Sequence, residues 1–274
     1  MIDAHVHIWT LDPARYPWQQ TLGSVPIPQA AAPAEDLLGQ MDAAGVDKAL
    51  LVQPSIYGWD NSYLCDSADR YPDRFAAVCL VDPRSPRAGD DLRYWCRERG
   101  CCGVRINVIE EQSADWLTAQ EQRGLWEAAL ELGVSVSLQI RPDHAAAVAR
   151  LARDYPRIRF VVDYMGASAA HDGTGVTALG VLGEEPNISC KLLAIGQDSR
   201  EQYPFGDLWP LYKAAVDSFG ARRLIFGTDF PHVMTASSYV QATQLVSVLP
   251  FVSEQDRELI CDVTASEIWR FDRS

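Results

Sequence analysis

A short run of β-branched and apolar residues, a turn and then a helical stretch recur along the whole of this 274-residue chain, and that alternation does most to limit its fold. Strand candidates fall at 2–8, 46–53, 75–82, 103–108, 134–140, 158–164, 187–192 and 223–228. Helix candidates lie at 34–44, 60–71, 86–99, 119–132, 143–154, 207–219 and 254–270. Asp143 and Asp207 each stand just before a helical run, where a carboxylate can accept from the free N–H groups of the first turn. Gly45, Gly100, Gly133 and Gly220 each follow one, as a left-handed C-terminal cap prefers. Strands alternating with helices predict a parallel sheet, and eight of them predict a (β/α)8 barrel of the TIM type, one domain over 1–274. A doubly wound sheet would also alternate, but the first strand lacks the G-x-G-x-x-G turn.

In a barrel of this kind the active site forms at the C-terminal ends of the strands. The first strand ends His5-Val6-His7, and residues two apart on a strand point the same way, so both imidazoles aim into the mouth. The eighth ends Gly227-Thr228-Asp229-Phe230-Pro231-His232, and closure of the barrel makes it a neighbour of the first. Asp229 is therefore expected to meet His5 and His7. Two imidazoles and a carboxylate can hold a divalent cation such as zinc with a position left for water. Alternatively Asp229 is itself the general base, oriented by the imidazoles.

Cationic and amide side chains gather at the same ends. Arg105 and Asn107 close the fourth strand, Arg84 follows the third, Arg141 the fifth, and Lys191 is near the end of the seventh. Such a set suits an anionic substrate group or a developing oxyanion, and arginine matches a carboxylate with its fork. Gln53 and Gln139 are uncharged hydrogen-bonding candidates; Ser135, Ser137 and Gln139 share a face predicted to line the lumen. Segment 9–34, with Trp9, Tyr16, Trp18 and Pro13, Pro17, Pro26, Pro28 and Pro33, is long enough to be a lid. Segment 54–63, with Tyr57, has the mixed aromatic and polar character of a ligand-facing loop. His144 and His171 fall in loops or at helix starts and are read as non-catalytic.

Lys and Arg number 24 against 37 Asp and Glu, a net charge of −13 without a basic run, which argues against a nucleic-acid partner. The apolar runs are too short to cross a bilayer, and the opening MIDAHVHIW resembles no secretory leader, so a cytoplasmic protein is expected. The seven cysteines match no zinc knuckle and read as reduced thiols.

The segments IDAHVHIW, VQPSIYGWDNSYL, RFAAVCLVDP, GVRIN, VDYMG and RLIFGTDFPH occur in an order that resembles the lactonases of the amidohydrolase-2 branch of the amidohydrolase superfamily. The resemblance covers about residues 1–235 and is most specific at H-x-H and G-T-D-x-P-H. It implies a distorted TIM barrel, with His5, His7 and Asp229 as the site, Arg105 as a substrate-binding arginine, and His232 as the last residue of its motif. One departure stands out. The family commonly has D-H-[ML]-G after the sixth strand, whereas this chain has Asp163-Tyr164-Met165-Gly166, and Gln139 stands where metal-dependent members often place a histidine. A neutral phenol is a poor zinc ligand but a good hydrogen-bond donor. A site that requires no metal is therefore expected, with a weak divalent-metal site as the alternative.

The expected activity is hydrolysis of a small anionic lactone, of a sugar acid or a dicarboxylate. Asp229 would take a proton from the attacking water, with His5 and His7 holding that water or the carbonyl oxygen. Arg105 and Lys191 would bind the carboxylate or steady the oxyanion, and Tyr164 would protonate the departing ring oxygen. Gln53, Asn107, Gln139, Arg141, His232 and Tyr57 complete the expected substrate contacts. A lactone isomerase in the same pocket, a metal-dependent decarboxylase of the aminocarboxymuconate type and a degenerate barrel that only binds an acidic ligand are the alternatives. Self-association is compatible with the sequence.

Overall fold

The computed structural model describes residues 1–166 and 171–271. Eight parallel strands stand in chain order around the barrel: β1 (Ile2–Val6), β2 (Lys48–Val52), β3 (Phe75–Leu80), β4 (Gly103–Asn107), β5 (Ser135–Gln139), β6 (Phe160–Val162), β7 (Ile188–Leu193) and β8 (Leu224–Gly227). Seven helices lie outside: α1 (Ala34–Ala44), α2 (Ser62–Arg70), α3 (Ala88–Arg97), α4 (Arg123–Leu132), α5 (Ala145–Asp154), α6 (Thr174–Gly183) and α7 (Trp209–Phe219). After β8 come the short helices α8 (Tyr239–Thr243), α9 (Leu245–Val248), α10 (Glu254–Glu258) and α11 (Thr264–Ile268). No helix among the described residues is long and apolar enough to cross a membrane.

The strands sort their side chains by period two. On β4 and β5, Val104, Ile106, Val136 and Leu138 pack outward into the large core beneath the helices. Gly103, Arg105 and Asn107 register against Ser135, Ser137 and Gln139 on the lumen side, as the pattern predicts. Lower in the lumen, Ile2, Leu50, Ala76, Val78, Val161 and Ile225 form a second apolar cluster. Its plug comes from the end of the chain. The helix expected over 254–270 is present as one unbroken helical run to Ile268, made of α10, a π-helical turn at Leu259–Val263, and α11. Trp269 then leaves the helix in extended geometry and, with Ile268 and Phe271, fills the barrel's floor.

Strand β1 departs from regular alternation. Ile2 pairs with Lys48 and Asp3 with Ala49, but Val6 pairs with Leu51, so a bulge lies between Asp3 and Val6. Ile2 and Ala4 therefore belong to the inner cluster, whereas Val6 packs outward with Leu51. Both histidines thereby turn inward above an apolar floor.

Closure between β1 and β8 uses the functional segment itself. The His7 N–H donates to Phe230 O at 2.7 Å, and the Asp229 N–H donates to His5 O at 2.9 Å. Below them the buried Asp3 carboxylate accepts from the Thr228 N–H (2.8 Å), Thr228 Oγ1 (2.6 Å) and Tyr239 Oη (2.8 Å). Burial still pushes its carboxyl up to about 6. Gly227 permits the approach, since a Cβ there would lie 2.7 Å from His5 Cβ.

Several expected details are corrected. Helix α6 was not anticipated: Gly175, Gly180 and Gly183 each lower helix propensity by about 1 kcal/mol relative to alanine. It forms because Leu179 and Leu182 are buried, and because Gly183 packs where a Cβ would lie 2.6 Å from Ser218 O of α7. Neither Asp143 nor Asp207 caps a helix. Asp143 pairs with Arg141, and Asp207 accepts from the Arg200 N–H at 2.7 Å and from Ser199 Oγ. Gly45 and Gly133 are left-handed caps, but Gly220 combines φ 63 with an extended ψ of 162.

Candidate active site

The predicted meeting of His5, His7 and Asp229 is present at the mouth. Asp229 Oδ1 lies 3.7 Å from His5 Nε2 and 3.6 Å from His7 Nε2, and all three residues are buried. Tyr164 Oη donates to the same oxygen at 2.8 Å, and Gln197 Nε2 donates to Oδ2 at 3.3 Å. Asp229 holds this position from a left-handed backbone (φ 63), a conformation aspartate adopts more readily than most residues. Burial pushes its carboxyl up to about 8, against the opposing bond from Tyr164.

The turn after β6 brings two consecutive side chains into one site. Tyr164 and Met165 have φ values of 51 and 52, a left-handed pair that costs about 1–3 kcal/mol per residue and persists only where packing over-determines it. Asp163 continues the inward face set by Val161, and the reversal at Tyr164 turns its phenol to Asp229.

Asp163 anchors a charge network beneath the histidines. Its Oδ2 accepts from Arg105 Nε at 2.8 Å; its Oδ1 is 3.1 Å from Lys191 Nζ and 3.5 Å from His5 Nδ1. Burial alone would raise its carboxyl, but Lys191, His5 and Arg105 outweigh it and hold the group well below the usual range. The same burial lowers the Lys191 ammonium, with Asp163 opposing.

These partners fix the imidazoles. His7 Nδ1 is 2.7 Å from Val52 O, which can only accept, so Nδ1 carries the proton and Nε2 presents a lone pair. His5 Nδ1 is 2.9 Å from Lys191 Nζ; a protonated lysine can only donate, which leaves the proton on His5 Nε2. Burial, followed by the charge of Lys191, drives His5 down to about 3, and burial likewise holds His7 neutral.

The ligand atoms of His5, His7 and Asp229 all lie within 4.8 Å of one another. His7, braced by a carbonyl, suits a divalent cation as it stands, and Asp229 suits one once Oδ1 is released from the Tyr164 phenol. His5 suits one in its other tautomer, with Nδ1–H turned to Asp163 Oδ1; its Nε2 is buried and unpartnered. The three residues could thus hold a divalent metal.

Two adjoining chambers open above this floor. The larger, about 520 Å³, reaches His7, Arg105, Gln139, Tyr164 and His232 from below and is roofed by residues 22 and 25–30. The smaller, about 340 Å³, reaches Asp229, Tyr164, Gln197, Asp198 and His232. The lid expected in 9–34 is thus its second half. Of 54–63, only Pro54, Ser55 and Ile56 reach the larger chamber.

The remaining predicted contacts divide. Arg105 points an unpartnered Nη2 inward, and Gln139 an unpartnered Oε1. Asn107, beside Gln139, leaves both amide atoms unpartnered. His232 stands over His7, ring centroids 5.7 Å apart. Five expectations are corrected. Lys191 is wholly buried beneath the site, where it touches His5 and Asp163 and reaches neither chamber. Arg141 is bound to Asp143 and to the carbonyls of Ile109 and Glu111. Arg84 pairs with Glu111 and covers Trp116. Tyr57 Oη accepts from the Thr10 N–H at 2.8 Å and so ties the start of the lid segment. Gln53 Nε2 donates to Asp60 O at 2.7 Å within the loop it begins. His144 and His171 lie away from the centre, bonded to the carbonyls of Glu111 and Asp198. Asp163 and Gln197 were missed. Asp163 could have been found within the strand candidate 158–164, where it shares the face of Val161, whereas nothing in the loop after β7 marks Gln197.

The amidohydrolase family profile matches residues 2–271. An L-fucono-1,5-lactonase of Burkholderia ambifaria is 29% identical over 234 residues, 84% of this chain and 80% of that protein. A 4-sulfomuconolactone hydrolase of Hydrogenophaga intermedia is 28% identical over 239 residues, 84% of this chain and 74% of that protein. A solved structure from Pseudomonas putida, named as a candidate 2-pyrone-4,6-dicarboxylic acid hydrolase, superposes with a TM-score of 0.80 at 27% identity. It covers 100% of this chain and 98% of its own.

Proposed function

The chain belongs to the amidohydrolase family, and from that premise we propose that it is a hydrolase that opens a small anionic lactone with a water activated by Asp229. The observation that carries the reading is the convergence of a carboxylate, a lone-pair imidazole nitrogen, an N–H imidazole nitrogen and a phenol on one point below a chamber of ligand size. The names of the relatives, both lactone hydrolases, support the same class of substrate.

Each group has a distinct task. His7 Nε2 accepts from the attacking water and orients it, while Asp229 removes the proton that leaves as the water oxygen bonds to the ring carbonyl carbon. The carbonyl oxygen becomes an oxyanion, for which the His5 Nε2–H is the buried donor at hand. Collapse breaks the ring C–O bond. Tyr164 gives its proton to the departing oxygen and takes the proton Asp229 acquired, along the 2.8 Å bond between them. The product is the open-chain hydroxy acid, and the site returns to its starting state.

The reading requires no metal. Its support is the lysine facing His5 Nδ1, which favours the tautomer unsuited to coordination, and the phenol bonded to the carboxylate oxygen a metal would take. When bound by His5, His7 and Asp229, a divalent cation would supply Lewis acidity to the same water. Asp229→Asn tests the proposal. We expect lactone hydrolysis to fall about 10²–10⁴-fold with the fold intact by circular dichroism; activity near wild type would remove Asp229 from the base role.

A further inference from the structure

The two chambers bear on which kind of lactone enters them, an inference that rests on the lactonase reading of the site. The larger chamber has walls of opposite character. Its roof presents Leu22, Val25, Pro26, Ile27 and Pro28, with Trp9 at one side. Trp9 spends its only donor on Ala30 O at 2.8 Å, and the Gln29 amide turns back to Ile27 O. The buried polar atoms without partners are on the floor, Arg105 Nη2 and Gln139 Oε1.

Among the described lining residues, Arg105 is the sole Lys or Arg of either chamber. The other cations expected at the mouth are occupied elsewhere: Lys191 beneath the histidines, Arg141 on Asp143, Arg84 on Glu111. The smaller chamber presents the carboxyls of Asp198 and Asp229. A second anionic group on the substrate would meet those carboxyls, or the apolar roof, without a counter-charge. Ring hydroxyls turned to Leu22, Val25, Pro26, Ile27 and Pro28 would meet only apolar side chains.

We propose that the substrate is a lactone with a single carboxylate and an otherwise hydrocarbon ring. The carboxylate lies on Arg105 and the ring beneath residues 22–30. This differs from a polyhydroxylated sugar lactone and from a doubly charged one.

The test compares kcat/KM for four lactones: a γ-lactone bearing one acetate side chain, a pyrone dicarboxylate, fucono-1,5-lactone and unsubstituted δ-valerolactone. Binding of the matching non-hydrolysable cyclic ethers is measured alongside by calorimetry. The monocarboxylate should lead the other three by about 10²-fold or more, the scale at which a site discriminates by one mismatched polar group. Arg105→Gln should erase its lead over δ-valerolactone, and Ile27→Asn should narrow its lead over fucono-1,5-lactone. Equal or better turnover of the sugar lactone or the dicarboxylate overturns the inference and leaves the lactonase reading standing. No turnover of any lactone overturns the lactonase reading. The ether affinities then decide the preference: tightest binding of the monocarboxylate supports it, any other order refutes it.

Discussion

Replacing Asp163 by asparagine removes one charge from a buried cluster that contains two cations. Arg105 Nε, at 2.8 Å, keeps an acceptor in the amide oxygen, but Lys191 Nζ, at 3.1 Å, loses its anionic partner while remaining wholly buried. Removing one member of a buried ion pair costs about 3–5 kcal/mol, chiefly because the other charge is left uncompensated. At about 2–4 °C per kcal/mol for a domain near this size, the melting temperature should drop by roughly 6–20 °C. Urea unfolding and calorimetry both read this. The pH dependence gives a second check. Asp163 is held well below the ordinary carboxylate range, so its contribution is fully present above the unfolded pKa near 4 and is lost as pH falls toward the folded value. The deficit of Asp163→Asn should therefore be constant from about pH 5 to 8 and shrink in stronger acid. Adding Lys191→Met removes the stranded charge, so the double variant should be more stable than the sum of the single losses by at least about 1 kcal/mol. A single-variant loss below about 1 kcal/mol, or strict additivity, would refute the view that this network is held by charge compensation.

Two further outcomes follow from the same structure. Tyr164→His places a third imidazole beside Asp229 and removes the phenol from Oδ1; zinc affinity, read by competition with a chromogenic chelator, should rise at least about 10-fold. His144 is kept neutral chiefly by burial, with Nδ1 accepting from the Arg141 N–H and Nε2 against Glu111 O. Because its folded pKa lies below the unfolded value near 6.5, stability should fall as pH drops below about 6.5, and His144→Gln should flatten that slope in melting curves between pH 5 and 7.

What the sequence revealed depended on whether a residue's position follows from period or from tertiary constraint. Arg105, Ser137 and Gln139 lie on regular strands, so alternation alone placed them in the lumen. The pairing of His5 with His7 was equally legible, since a spacing of two survives any shift. Their direction into the mouth was expected from the end of the strand, but the bulge that produces it was not. Uninterrupted alternation would put His5 and His7 on the face opposite Ile2 and Ala4, and the bulge before Val6 reverses this without any glycine or proline to announce it. Lys191 shows the opposite failure. Its place near the end of the seventh strand and its charge suggested a substrate anion for it, but depth decided its partner. It lies level with Ile225, low in the barrel, where the available anion is Asp163 rather than a substrate.

The Tyr164 position shows how a departure from a family pattern can be absorbed. A left-handed pair of residues sets the direction of the side chain, so the same turn would deliver a histidine or a phenol to Asp229. What changes is the kind of group delivered. A phenol bonded to the carboxylate gives Asp229 a proton relay toward the leaving oxygen, whereas an imidazole there would offer a lone pair to a cation. Lys191 acts in the same direction from below, by holding the proton of His5 on the nitrogen that faces Asp229. Two side chains that each touch His5 thus bias one cluster toward proton transfer. Tyr164→His alone should therefore strengthen metal binding only partly. Joining it to Lys191→Met, which frees His5 to turn its lone pair outward, should raise zinc affinity beyond the product of the two single effects. Independent effects would sever the link between the lysine and the tautomer.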